Sequence, residues 1–221
     1  MGGDFKSYMP YIKWIPLIIF LCLCFYAIYR KIRDKKLLET VTKSNRGTRT
    51  ERDLVLTLLK YGVHAQAIFH DLYIRKSNGK FSQIDLVVAS KTGIIVFEVK
   101  DYSGWIFGNG KNREWTQVLA YGQEKYRFYN PILQNNKHID EIRKKLRQFE
   151  YVPFYSVVVF YGNCELKDIN FVPEGTFIVK SARILEVMDI ILNKKELASY
   201  ADKFEVVKLL KDAVCNGNSD T

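Results

Sequence analysis

The chain has 221 residues, 48% hydrophobic and 26% charged, with a formal net charge of +10. That balance is ordinary for a globular protein and leaves room for one good-sized core plus an appendage. Four cysteines without a C-x-x-C pair and three scattered histidines (His64, His70, His138) argue against a structural zinc site or a disulfide framework. Residues 1–36 carry seven Lys/Arg against two Asp, so half of the net charge is local to the N-terminus. The remainder is a mild bias toward polyanions such as nucleic acid.

Trp14–Tyr29 is an uncharged apolar run whose sixteen residues span roughly 24 Å as a helix, and Tyr11–Lys13 bring it to spanning length. Trp14, Tyr26 and Tyr29 stand near its ends, where interfacial aromatics belong. A cleaved signal peptide carries its charge before the apolar run and small residues after it, whereas here RKIRDKK follows. The run reads as a single membrane anchor over 11–29, with the positive-inside bias placing the remainder in the cytoplasm. Residues 1–10 read as a short tail and 30–46 as a basic juxtamembrane linker that can also meet anionic lipid.

Residues 47–62 predict a helix with Leu54, Val55, Leu58 and Leu59 on one face. AQAIFHDLYI predicts a strand, RKSNGKF a turn, and residues 82–100 an apolar hairpin. A second hairpin is expected around Gly108–Gly110. In the next helix Asn130 is the cap, Pro131 takes the first position, and Ile132, Ile139, Ile142, Leu146 and Phe149 form a stripe. FYSVVVFYG and GTFIVK read as strands, Ser181 as the cap of ARILEVMDIIL, and 194–214 as a last helix before a disordered tail at 215–221. The order predicts an α/β fold, with a mixed sheet flanked by helices.

The hairpin at 82–100 carries three charges in apolar surroundings: Asp85, Glu98 and Lys100. Burying a charge costs several kcal/mol unless it is paired or holds a metal. Glu98 and Lys100, two apart, share a strand face. A two-residue loop pairs Asp85 with Lys100, a four-residue loop at Ser90–Gly93 pairs it with Glu98, and a three-residue loop turns Asp85 away unless a bulge corrects it. If the three converge, a hard cation relieves the carboxylate repulsion, and a lysine beside it stabilises charge building on a phosphate. The alternative is a structural ion pair between Glu98 and Lys100.

Gly47-x-x-x-Glu51, Ile84-Asp85, Glu98-x-Lys100, Gly104 and Pro131-x-x-Gln134, in that order, resemble the nuclease-related domain (NERD) of the PD-(D/E)XK restriction-endonuclease-like superfamily. The resemblance covers roughly residues 45–165, and its specificity lies in the ordered series. It implies a restriction-endonuclease-like mixed sheet flanked by helices and Mg²⁺ dependence, with Mn²⁺ as a substitute. It also implies a nuclease role, and its frequent single membrane spans agree with the apolar run. By position, Asp85 and Glu98 are the expected metal ligands, Glu51 the acidic residue of the first helix, Lys100 the catalytic lysine and Gln134 the site glutamine. The residue after the lysine is often neutral in this family, whereas here it is Asp101.

Other readings stand beside these. Thr48-x-x-Glu51 is a capping box, although Glu51 also heads the apolar stripe with Val55 and Leu58. Gln134 falls in the first turns of its helix, where phosphate is attracted, or is simply an exposed polar residue. EKYRFYN, residues 124–130, grips phosphate and stacks bases, or is an amphipathic strand. The expectation is a membrane-anchored cytoplasmic Mg²⁺-dependent nuclease acting on DNA, its domain spanning 47–214. The alternatives are an inactive nucleic-acid-binding module and a membrane-tethered scaffold. A nucleotide-cradling glycine loop and a nucleophile elbow are both missing from the sequence.

Overall fold

The computed structural model describes residues 14–76, 78–146, 152–194, 198 and 203–216. The apolar run forms α1 (Ile15–Leu38), with none of its residues buried. It is long and apolar enough to cross a membrane, by length and composition. The helix does not stop where the charged residues begin. It runs through the basic segment to Leu38, whose side chain, with that of Val41, packs against the domain core.

Next come α2 (Arg49–Tyr61), β1 (Ile68–Arg75), β2 (Phe81–Ser90), β3 (Gly93–Asp101), β4 (Gly104–Asn109), β5 (Glu114–Leu119) and β6 (Glu124–Tyr129). They are followed by α3 (Pro131–Lys145), β7 (Phe154–Tyr161), β8 (Cys164–Asn170), β9 (Thr176–Lys180), α4 (Ile184–Leu192) and α5 (Lys203–Asn216). There are two mixed sheets, ordered β1-β2-β3-β7-β9 and β6-β5-β4-β8. In the first, β1, β2 and β3 are antiparallel, and β7 and β9 join in parallel.

The larger sheet is filled from both sides. Leu86, Val88, Ile95 and Phe97 pack with Leu54, Leu58 of α2 and Val187, Met188 of α4. On the opposite side Val87, Ile94 and Val96 pack with Ile139 and Ile142 of α3 and Leu210 of α5. Both flanks being apolar explains why β3 and β7 read as continuous hydrophobic runs. The smaller sheet docks through Ile106, Trp115 and Phe160, with the Trp115 and Phe160 rings stacked at 6.2 Å.

Several local expectations meet the structure differently. The 194–214 helix is described from Lys203 to Asn216, so Cys215 and Asn216 are helical rather than tail, while 217–221 and Phe149 lie outside the described residues. Ser181 does not cap α4; it opens a short 3-10 turn, and Arg183 stands at the cap position without a side-chain capping hydrogen bond. The smaller sheet gains β8, whose CELKDIN pattern is too polar to announce a strand.

Candidate active site

The hairpin register decides the site. β2 and β3 pair Leu86 with Phe97 and continue to Ser90 with Gly93, so the same alignment sets Asp85 opposite Glu98. This is the alignment expected from a loop at Ser90–Gly93, made one pair tighter. Gly93 allows it: at φ +142° it sits where a Cβ would strike the Pro153 carbonyl.

Asp85 occupies a break in the sheet. The β1–β2 ladder pairs His70 with Leu86 and Leu72 with Ile84, skipping the Asp71/Asp85 rung between them. Asp71 has φ +56°, a conformation that non-glycine residues rarely adopt. Across this rung both strands exchange faces: Phe69 and Val87 lie on the α3 side before it, Leu72 and Ile84 on the same side after it. Asp71 is held by Arg46 at 3.2 Å and by Gln83 at 2.9 Å. On the other flank the Val99 N–H donates to Asp85 Oδ2 at 2.7 Å.

Helix α3 assembles the next part. Asn130 accepts from the Ile132 N–H, and its amide donates to the carbonyls of Asn109, Gly110 and Asn112, fixing the helix start against the β4–β5 turn. One turn in, Gln134 Oε1 accepts from Lys100 Nζ at 3.1 Å. Lys100 Nζ also lies 2.6 Å from Glu98 Oε1. A further turn along, His138 Nε2 stands 3.4 Å from Glu98 Oε2, with its Nδ1 3.2 Å from the Ser82 hydroxyl. Buried Asn135 donates to the Val96 carbonyl and to Ser156, locking α3 onto β3.

Glu51 comes from the other side of the sheet. Both of its readings hold: the Glu51 N–H donates to Thr48 Oγ1, and the residue is also buried. The Thr48 hydroxyl donates to Glu51 Oε1 at 2.7 Å, and His70 Nε2 approaches Oε2 at 3.4 Å. The far side of the His70 ring, Nδ1, is 2.8 Å from the buried Thr42 hydroxyl. Gly47 is required here. At φ +58° it packs where a Cβ would collide with Glu51 Oε2 and come within 2.6 Å of His70 Nε2.

The electrostatics tie the groups together. Burial, then the neighbouring Glu98 carboxylate, hold Asp85 well above the usual carboxylate range. Glu51 adds to this, while the Val99 N–H and Lys100 oppose it. Burial pushes Glu51 upward too, but the His70 ring and Thr48 hydroxyl outweigh it and leave Glu51 below its ordinary value. Thus Asp85 feels carboxylates from both faces of the sheet at the one rung where the ladder opens.

Among the described residues no three His, Cys, Asp or Glu side chains are already drawn together as a metal cage. Mg²⁺ does not require one, since it keeps several waters and takes one or two carboxylates plus substrate phosphates. Glu51 Oε2 and Glu98 Oε2 are buried without a hydrogen-bond partner, which is the state of donors that a hard cation would satisfy. The orphaned oxygens of Glu51 and Glu98 are thus of the donor type that such a cation takes.

Gly104 and Asp101 fall outside this constellation. Gly104, at φ +75°, gives β4 room against the Val118 carbonyl. Asp101 is exposed and, by strand alternation, points away from the face of Glu98 and Lys100. Sequence reasoning missed His70, His138, Thr42 and Asn135. His138 had a signal: it stands four residues from Gln134, on the same helix face. Thr42 had none, lying in a stretch read as linker.

The nuclease-related domain family model matches residues 46–161, just over half of the chain. An uncharacterized protein of Bacillus anthracis is 34% identical over 125 residues, covering 57% of this chain and 57% of that relative's own length. The chain thus spans little more than half of the curated relative it matches. No solved structure matches it. With the match running from the Gly47–Glu51 turn to the end of β7, across Glu51, Asp85, Glu98, Lys100 and Gln134, the chain belongs to the nuclease-related domain family.

Proposed function

We propose that the chain is a membrane-anchored Mg²⁺-dependent nuclease that hydrolyses phosphodiester bonds of DNA, with its domain in the cytoplasm. The observation that carries the reading is the convergence of Asp85, Glu98 and Lys100 at the open rung of the sheet, with Gln134 on the lysine. Asp85, Glu98 and Glu51 would hold the cation, which when bound polarises a phosphoryl oxygen and lowers the pKa of water.

The chain's own groups do the remainder. Lys100 is oriented by Gln134 and Glu98, which aims an ammonium at charge developing on the phosphate. Its 18% exposure leaves it open to substrate, whereas Glu98 beneath it is sealed at 2%. Substrate binding is supported by a cationic hollow at the start of α3, where Lys111, Arg113 and Arg127 gather around Asn112 and Glu114. Phosphate contacts of this kind position a strand without reading its sequence. The anchor rests on α1, and the side of the membrane on the basic residues that follow the apolar run.

The test uses the full chain in detergent with supercoiled plasmid, single-stranded DNA and RNA, comparing Mg²⁺, Mn²⁺ and chelator. Metal-dependent DNA cleavage lost in Glu98→Gln and Lys100→Ala is the expected result. Salt-sensitive binding without cleavage overturns it in favour of a nucleic-acid-binding module.

A further inference from the structure

Each glutamate of the site has the same construction behind it. A buried hydroxyl meets one nitrogen of a buried imidazole, and the other nitrogen meets the carboxylate: Thr42–His70–Glu51 on one face of the sheet, Ser82–His138–Glu98 on the other. The hydroxyls stand 2.8 and 3.2 Å from Nδ1, and both carboxylate oxygens are 3.4 Å from Nε2. Thr42, His70, Ser82 and His138 are all buried, and neither ring shares a structural element with the glutamate it faces.

We propose that His70 and His138 are positioning residues, each held in its Nε2–H form by a hydroxyl donating to Nδ1, and that each fixes one oxygen of a site glutamate toward an incoming divalent cation. The proposal rests on the reading of Glu51 and Glu98 as carboxylates that meet that cation. A carboxylate can only accept, so the nitrogen facing it carries a proton, and in a neutral ring Nδ1 is then the acceptor for the hydroxyl. The ring cannot turn without breaking both contacts. At 3.4 Å the Nε2–carboxylate approach is looser than a hydrogen bond, and Glu51 Oε2, His70 Nε2 and Glu98 Oε2 have no other partner. Catalytic contacts of this kind are often long before the ligand arrives and tighten with it.

One chain begins outside the matched domain. Thr42 lies four residues past the end of α1 and ahead of the family match at 46–161, so the segment leaving the membrane helix contributes to the site. Positioning groups behind ligating side chains are generally worth about 10- to 100-fold in metal affinity.

The test uses the full chain in detergent and chelator, with histidine-selective ¹⁵N labelling and long-range ¹⁵N–¹H correlation. Both rings are expected to show the Nε2–H pattern, and an Nδ1–H ring at either position overturns the proposal. Mn²⁺ titration calorimetry then compares wild type, His138→Leu and His138→Gln; Gln keeps an N–H near the Nε2 position and Leu does not. The expected result is at least about 10-fold weaker Mn²⁺ binding for Leu, largely recovered by Gln. Equal binding by all three, or a Gln variant as weak as Leu, overturns the proposal. A folded wild type that binds no Mn²⁺ overturns the nuclease reading instead, while the ring tautomers still decide the two hydroxyl–imidazole–carboxylate chains.

Discussion

The Val99 backbone N–H donates to the Asp85 carboxylate at 2.7 Å, so the last rung between β2 and β3 is closed by a side chain instead of a carbonyl. The hairpin therefore ends by presenting an acid to its neighbours, and that acid is raised well above its ordinary value of 3.8 by burial and by Glu98. The folded chain binds this proton more tightly than the unfolded chain does. Its stabilisation is fully present below the unfolded value and is lost as pH rises through the raised folded one. In chelator, the melting temperature of wild type is expected to fall with pH across that window relative to Asp85→Asn, with Mg²⁺ reducing the fall. Thermal unfolding of both proteins across a pH series checks it; parallel curves for the two would refute it.

Lys100 and Glu98 form a largely buried ion pair at 2.6 Å. Removing one partner of such a pair strands the other, whereas removing both is often tolerated. Lys100→Met is expected to cost about 2–3 kcal/mol, below the fully buried figure because Lys100 keeps some exposure. The Glu98→Met, Lys100→Met double variant should recover most of that loss while cleaving nothing. Urea unfolding alongside a nicking assay separates the structural role from the chemical one.

Gly47 is constrained twice, by its left-handed conformation and by the Glu51–His70 contact beside it. An L-residue in that conformation costs about 1–2 kcal/mol, before the collision is counted. Gly47→Ala should therefore destabilise by at least that amount and also weaken Mn²⁺ binding. Gly79, at φ +82° with open space around it, is the control. Gly79→Ala should show the conformational cost in urea unfolding and leave Mn²⁺ binding at the wild-type level.

The cationic hollow at the start of α3 predicts a salt signature. Each lost phosphate contact lowers the slope of log affinity against log salt by about 1. Arg113→Ala is expected to weaken DNA binding in chelator by such a step, uniformly across sequences. Fluorescence anisotropy at several salt concentrations measures it, and an unchanged slope places the substrate elsewhere.

Much of the fold was legible because apolar periodicity and end signals agree. Asn130-Pro131 marked the start of α3, and the Ile132, Ile139 and Ile142 stripe is buried as spaced. Lone polar residues were the harder class. His70 and His138 each look ordinary in a one-dimensional pattern, because their meaning comes from partners 19 and 40 residues away, Glu51 and Glu98. The exchange of faces at Asp71 and Asp85 was hidden for the opposite reason. Two strands that slip together keep their pairing, so neither sequence shows a misplaced residue. Glu51 satisfied two readings at once, since a capping side chain can also point inward when its helix starts beneath a sheet.

The unbroken run of α1 through the basic segment has a consequence for reach. With Trp14–Tyr29 embedded in a bilayer, the nine residues from Arg30 to Leu38 form a rigid post of about 14 Å. The post is clasped to α2 by the Asp34–Lys60 pair at 2.6 Å. A post of that kind is not a leash. Under the proposed anchoring it would hold the Asp85 rung at a set height above the lipid instead of letting the domain roam.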